Sequence, residues 1–113
     1  RVEGALRQVD LWDALAPRLG DDALALAPEQ QQRLCIARML ATDPDVLLFD
    51  GQCSTLDPIA TATIERLMTA LARERPVVVV THSMQQARRV ASHVAYLLLG
   101  ELVEAGPTAR VFD

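Results

Sequence analysis

Apolar residues recur at helical spacing through residues 2–19, with Ala5, Leu6 and Val9 in one group and Leu11, Leu15 and Leu19 in another. Pro17 interrupts the second group, so the pattern predicts two short amphipathic helices. After the polar Gly20-Asp21-Asp22 turn, Pro28 suits a first helical position, and a helix over residues 29–41 directs Leu34, Ile36, Ala37, Leu40 and Ala41 toward a core. Thr42-Asp43-Pro44-Asp45 reads as a turn, and Val46-Leu47-Leu48-Phe49 as a strand buried on both faces that ends at Asp50.

Asp57-Pro58 combines an N-cap with proline in the first helical turn, and Ala60, Ile64, Leu67, Met68 and Leu71 share one face of a helix ending near Arg75. Residues 77–81 form a second buried strand. Strand, helix, strand in this order predicts a right-handed parallel crossover, with Asp50 and His82 at the same sheet edge. A helix over residues 84–91 follows. Residues 94–99 and 102–105, joined by a Gly100-Glu101 turn, then predict a β-hairpin. The chain contains no internal repeat, and the order of elements predicts an α/β layer structure.

Composition narrows what such a layer can do. The 113 residues carry 11 basic and 15 acidic side chains, a formal net charge of −4, and every basic residue is arginine. Chemistry that needs a lysine, including phosphate capture by a P-loop, lies outside this chain, which excludes a complete P-loop nucleotidase. No basic run supports a nucleic-acid partner. The longest apolar stretch, residues 94–99, is far short of the roughly 20 residues that span a bilayer, so we expect a cytoplasmic chain without direct membrane insertion. Cys35 and Cys53 form no C-x-x-C pair and read as free, buried thiols. The first residue is Arg1 and the final residues read as a helical turn, so the sequence is expected to be part of a longer polypeptide.

Ligands of open parallel sheets bind beyond the carboxyl ends of strands, where Asp50 and His82 fall. A carboxylate there can hold Mg²⁺ through water, and a histidine one strand over can reach a phosphate oxygen or a backbone carbonyl. Taken singly, each has a plainer reading, the aspartate as a turn or cap residue and the histidine as a packed side chain. Trp12 reads as packing for the first helices, Gln30-Gln31-Gln32 as exposed helix surface, Cys53 as an inert loop thiol, and His93 as a solvated or capping residue.

Three segments in order change the weight of these singles: LAPEQQQRLCIAR at residues 26–38, PDVLLFDGQCSTLDP at residues 44–58 and VVVVTHSMQQA at residues 77–87. They resemble the carboxyl-terminal half of ATP-binding-cassette ATPases, over nearly the whole chain. The resemblance implies a partial P-loop NTPase fold with parallel strands, crossover helices and a carboxyl-terminal β-hairpin. Residues 1–41 would form the helical region of the signature motif, and residues 42–113 the part with Walker B, D-loop and H-loop. Within the family, QQQRLCIAR, THSMQQA and LLLGELVE resemble the ATPase subunit of bacterial phosphate importers.

The resemblance makes Asp50 the Walker B acid that organises Mg²⁺ through water, Asp57 a D-loop residue and His82 the switch histidine that senses the γ-phosphate. It implies ATP and Mg²⁺ as family cofactors, with none bound by this chain alone. The implied partners are a second cassette subunit in a head-to-tail dimer and transmembrane permease subunits, with assembly on the cytoplasmic face of the inner membrane.

Two departures are specific. Where the family has Glu-Pro-Thr after the Walker B aspartate, this chain has Gly51-Gln52-Cys53. Gly51 occupies the place of the general-base glutamate, and losing a positioned base costs about 10²- to 10⁴-fold in rate. Where the family has Leu-Ser-Gly-Gly-Gln, this chain has Leu26-Ala27-Pro28-Glu29-Gln30. Ala27 lacks a hydroxyl, Pro28 lacks an N–H, and Glu29 would oppose a γ-phosphate by about 3 kcal/mol per charge pair at about 5 Å and an effective dielectric of about 20.

Three readings follow: an inactive partial ATPase of phosphate-importer type, a non-catalytic cassette remnant that only docks to another nucleotide-binding subunit, and an unrelated flavodoxin-like module. The last would need a ligand loop after the first strand, where Gly51-Gln52-Cys53-Ser54 offers one glycine.

Overall fold

The computed structural model describes residues 1–51 and 53–113, so Gln52 of the Gly51-Gln52-Cys53 departure lies outside the described residues. The chain forms two compact units, residues 1–79 and 80–113.

The first unit opens with α1 (Val2–Gln8) and α2 (Trp12–Leu15), the two short helices expected from spacing. The break between them is a Schellman motif. Asp10 has φ +58°, the Asp10 N–H donates to the Arg7 carbonyl (3.1 Å), and the Leu11 N–H donates to the Leu6 carbonyl (2.8 Å). Aspartate tolerates the left-handed region better than most residues, and the apolar contact that accompanies this motif is supplied by buried Leu6 and Leu11. Pro17 turns the end of α2 into a 3₁₀ turn over Ala16–Arg18. Trp12 packs against the core as expected, with the Arg7 guanidinium 5.8 Å from its ring centre.

A second 3₁₀ turn, Ala23–Ala25, is capped by Asp22, whose Oδ1 accepts from the Leu24 N–H at 2.9 Å. It leads into α3 (Pro28–Leu40), which buries Ile36, Ala37 and Leu40. Cys35 differs from expectation: it is exposed on α3, because its neighbours Ile36 and Ala37 occupy the inward face. Cys53 packs partly buried against the core.

Strand β1 (Leu47–Asp50) is followed by α4 (Pro58–Leu71) and β2 (Val77–Val80), and β1 and β2 are hydrogen-bonded neighbours. The Leu47 N–H donates to the Pro76 carbonyl at 3.0 Å, so both strands start at the same end of a parallel pair joined by a helical crossover. Leu47 and Phe49 pack with Ile64, Met68 and Leu71 of α4 in one core.

Neither strand is buried on both faces. In β1, Leu48 is 67% exposed, and in β2 Val78 and Val80 are 50% and 54% exposed, while Val77 and Val79 pack inward. The continuous apolar runs therefore alternate in burial, because within the described residues α4 and its neighbours cover one face of the pair.

The second unit contains α5 (Met84–Val90), β3 (His93–Leu98), β4 (Glu101–Pro107) and α6 (Thr108–Val111). β3 and β4 form the expected antiparallel hairpin, but its two loop residues are Leu99 and Gly100, both at positive φ (+52° and +81°), rather than Gly100-Glu101. Tyr96 pairs with Glu104 and Leu97 with Leu102, which leaves Val103 as a bulge. Thr108 ties the hairpin's end to α5, donating its hydroxyl to the Ala91 carbonyl (2.5 Å) and its N–H to the Ser92 carbonyl (3.0 Å).

Candidate functional site

The first unit positions Ala27, Pro28, Glu29 and Gln30 at the amino terminus of α3, Asp50 and Gly51 at the carboxyl end of β1, and Asp57 at the start of α4; the second unit holds His82. Pro28 is the first residue of α3. The Gln30 side chain reaches back so that its Oε1 accepts from the Ala27 N–H (3.2 Å), half of a capping box; alanine has no side-chain acceptor for the other half. The glutamines are not simply exposed surface. Gln31 donates its amide to the Leu26 carbonyl (2.9 Å), closing the junction between the 3₁₀ turn and α3.

Glu29 is not the free charge its position implied. Its carboxylate pairs with Arg33 one turn along α3, the Arg33 Nη2 donating to Oε2 at 3.1 Å, with side-chain exposures of only 19% and 16%. Arg33 Nε lies against Oε1 as an ion-pair contact that is off the direction of a hydrogen bond. An incoming phosphate would meet a carboxylate already compensated by arginine, so the 3 kcal/mol repulsion expected of an unpaired charge is an upper bound here. Arg33, which sequence reasoning missed, carried a signal: Glu and Arg stand four apart on a helix.

Asp50 is exposed at the end of β1. Gly51 follows with φ +70°, and its carbonyl accepts from both the N–H (3.2 Å) and the hydroxyl (3.0 Å) of Ser54. An added Cβ at Gly51 would meet nothing closer than the Ser54 Oγ at 3.9 Å, so the turn demands glycine for its backbone and not for space. Asp57 caps α4, its Oδ1 accepting from the Ala60 N–H at 2.8 Å.

In the second unit, His82 is exposed just beyond β2. It stands between Thr81, whose Oγ1 accepts from the Ser83 N–H (3.0 Å), and Ser83, whose Oγ caps α5 by accepting from the Gln86 N–H (3.1 Å). His93 is exposed at the head of β3, with Nδ1 3.2 Å from the Ser92 Oγ.

Among the described residues no three His, Cys, Asp or Glu side chains cluster as a metal site. An apolar cavity of about 360 Å³ lies between α1, the 3₁₀ turns and α3, lined by Leu6, Leu15, Leu26, Leu34 and Ala37 among others, and none of the candidate site residues borders it. No helix among the described residues is long and apolar enough to cross a membrane.

The chain is 54% identical over 112 residues to a phosphate import ATP-binding protein, PstB, of Methylobacillus flagellatus, covering 99% of this chain and 43% of that protein. The chain belongs to the ATP-binding-cassette ATPases. It spans less than half the length of the relative it matches.

Solved structures agree on the fold. The chain aligns with cbiO1 of Clostridium perfringens, part of the cbiONQ transporter complex, at a TM-score of 0.84 and 24% identity, over 99% of this chain and 44% of that one. A bacterial Atm1-family exporter with ATP bound matches at 0.77 and 27% identity, over 98% and 20% of the two chains. MJ1267, an ATP-binding cassette of a transporter, matches at 0.82 and 18%, over 95% and 41%. The chain has part of the fold of these domains, a partial P-loop NTPase fold. No protein-family model matches the chain.

Proposed function

We propose that the chain is a segment of the ATPase of a phosphate importer, working with ATP and Mg²⁺ in a complete cassette and unable to hydrolyse ATP by itself. The observation that carries this reading is the 54% identity over 112 residues to a phosphate import ATP-binding protein. In the first unit Asp50 ends β1, and in the second His82 follows the end of β2; the carboxyl ends of strands are where open α/β sheets present ligand-binding groups.

In this reading Asp50 would hold Mg²⁺ through water, and the ion would supply charge stabilisation to the transferred phosphoryl group. His82 donates a ring N–H to a γ-phosphate oxygen, and Asp57 both caps α4 and faces the dimer seam as the D-loop residue. The start of α3, residues 27–30, covers the nucleotide of a second cassette subunit in a head-to-tail dimer, and permease subunits hold the assembly at the cytoplasmic face of the membrane. Gly51 presents no proton acceptor at the place of the general base, which leaves hydrolysis at a residual level.

Gly51 together with Ala27-Pro28-Glu29 favours a second reading, a non-catalytic cassette remnant that docks to another nucleotide-binding subunit and does nothing more.

A hybrid distinguishes the two. This chain is joined to the amino-terminal half of an active phosphate-importer ATPase, with Gly51→Glu and the conversion of Ala27-Pro28-Glu29 to Ser-Gly-Gly made singly and together. The partial-ATPase reading expects fast hydrolysis only in the double reversion, with gains that do not multiply, because closure over the nucleotide precedes chemistry. A folded double revertant that still fails to hydrolyse ATP favours the docking remnant.

A further inference from the structure

Arg33 joins three parts of the first unit. Its Nη2 and Nε face the Glu29 carboxylate, and its Nη1 donates to the carbonyls of Val9 (3.2 Å) and Asp10 (2.9 Å) at the carboxyl end of α1. Those carbonyls belong to the Schellman turn in which Asp10 has φ +58°, so they lie past the reach of α1's own N–H groups and need an outside donor. An arginine at 16% exposure with donors directed to two carbonyls and a carboxylate is fixed in one rotamer far more firmly than a surface arginine. Glu29 supplies the carboxylate contact of that set. Among the described residues it pairs with Arg33 and makes no hydrogen bond to α1.

We propose that Glu29 and Arg33 form a clamp that couples the first turn of α3 to the end of α1, with Arg33 as the positioning residue and Glu29 as its holder. Glu29, which replaces a glycine of the family motif, thereby ties the segment 27–30 to the helices that precede it. Movement of α1 is transmitted to the start of α3, and the reverse. The functional side of this inference rests on reading α3 as the signature helix; the clamp itself does not.

Amide hydrogen exchange on the 113-residue chain tests it without nucleotide or a second subunit, so its outcome is independent of the hybrid ATPase experiment. The reporters are the Leu11 N–H, bonded to Leu6, and the Gln31 N–H, bonded to Ala27, with the Leu47 N–H as a reference in the sheet. Arg33→Ala should speed exchange at Leu11 and Gln31 by about tenfold relative to Leu47. Glu29→Ala should also speed exchange at Leu11, a residue with which Glu29 shares no hydrogen bond, by about threefold or more, and the double variant should be no faster than Arg33→Ala alone.

Leu11 exchange unchanged by Glu29→Ala, or effects that multiply in the double variant, would overturn the clamp. If Arg33→Ala does not keep the native spectrum, Glu29→Asp decides. It retains the charge but is one methylene too short for the two-point contact, so faster Leu11 exchange supports the clamp and an unchanged rate overturns it.

Discussion

Ser54 donates both its N–H (3.2 Å) and its hydroxyl (3.0 Å) to the carbonyl of Gly51, closing the turn after β1 around a residue at φ +70°. The backbone of this turn suits glycine, at the position that we propose corresponds to the family's general-base glutamate. Gly51→Glu should therefore cost about 1 kcal/mol of stability from the left-handed backbone alone, and Gly51→Asn about half of that, since asparagine tolerates this region. Thermal denaturation of the two variants checks the order. Equal stability of Gly51→Glu and the parent would mean that the turn relaxes on substitution.

The isolated chain should neither bind Mg–ATP at micromolar affinity nor turn it over. It has no lysine, and a lone Asp50 and His82 cannot replace the backbone cradle and cation that hold triphosphate. Calorimetric titration with Mg–ATP is the direct measurement, and turnover that disappears in His82→Ala would contradict the expectation.

Asp57→Ala should destabilise the chain by about 1 kcal/mol by removing the acceptor for the Ala60 N–H, while Asp57→Ser should keep most of that stability. In the doubly reverted hybrid cassette, which is expected to hydrolyse ATP quickly, the two variants separate roles. If capping is the whole contribution of Asp57, serine restores activity as well as stability; a D-loop role predicts that stability returns and activity does not.

Leu99 is 95% exposed and sits at φ +52° in the two-residue hairpin loop, an unfavourable place for a branched apolar residue. Leu99→Asn should raise stability by about 0.5–1 kcal/mol, measurable in urea denaturation. A loss of stability would mean that the Leu99 side chain is buried in solution, most directly by another molecule.

The outward face of the β1–β2 pair, with Leu48, Val78 and Val80 half-exposed or more, should make the free chain associate with itself. Sedimentation velocity should show concentration-dependent species that decline in Leu48→Thr/Val78→Thr, with little change in unfolding free energy per monomer because neither side chain faces the core. A clean monomer at high concentration would count against this.

Much of the architecture was legible in residue order because it depends on local rules. Helical spacing marked α1, α3 and α4, Asp57-Pro58 marked a capped start, and the apolar runs between turn residues marked β1 and β2. The positions of Asp50 and His82 at strand ends followed from the same punctuation. Periodicity counts only which residues are apolar, however, and a run such as Val77-Val78-Val79-Val80 is identical whether one face or two are covered. Coverage is a property of what packs above the sheet, so the exposure of Val78 and Val80 emerged only from the assembled layers. Glu29 is the sharper case. Its sequence position implied a charge facing a phosphate, and its i,i+4 spacing to Arg33 permitted a pair. Only the approach of α3 to the end of α1, which brings the Val9 and Asp10 carbonyls within reach of the same guanidinium, selected the rotamer that turns that charge inward. Local propensity thus determined where elements begin and end and most of their caps, while the setting of the Glu29–Arg33 pair was decided by contacts between segments more than 20 residues apart in the chain.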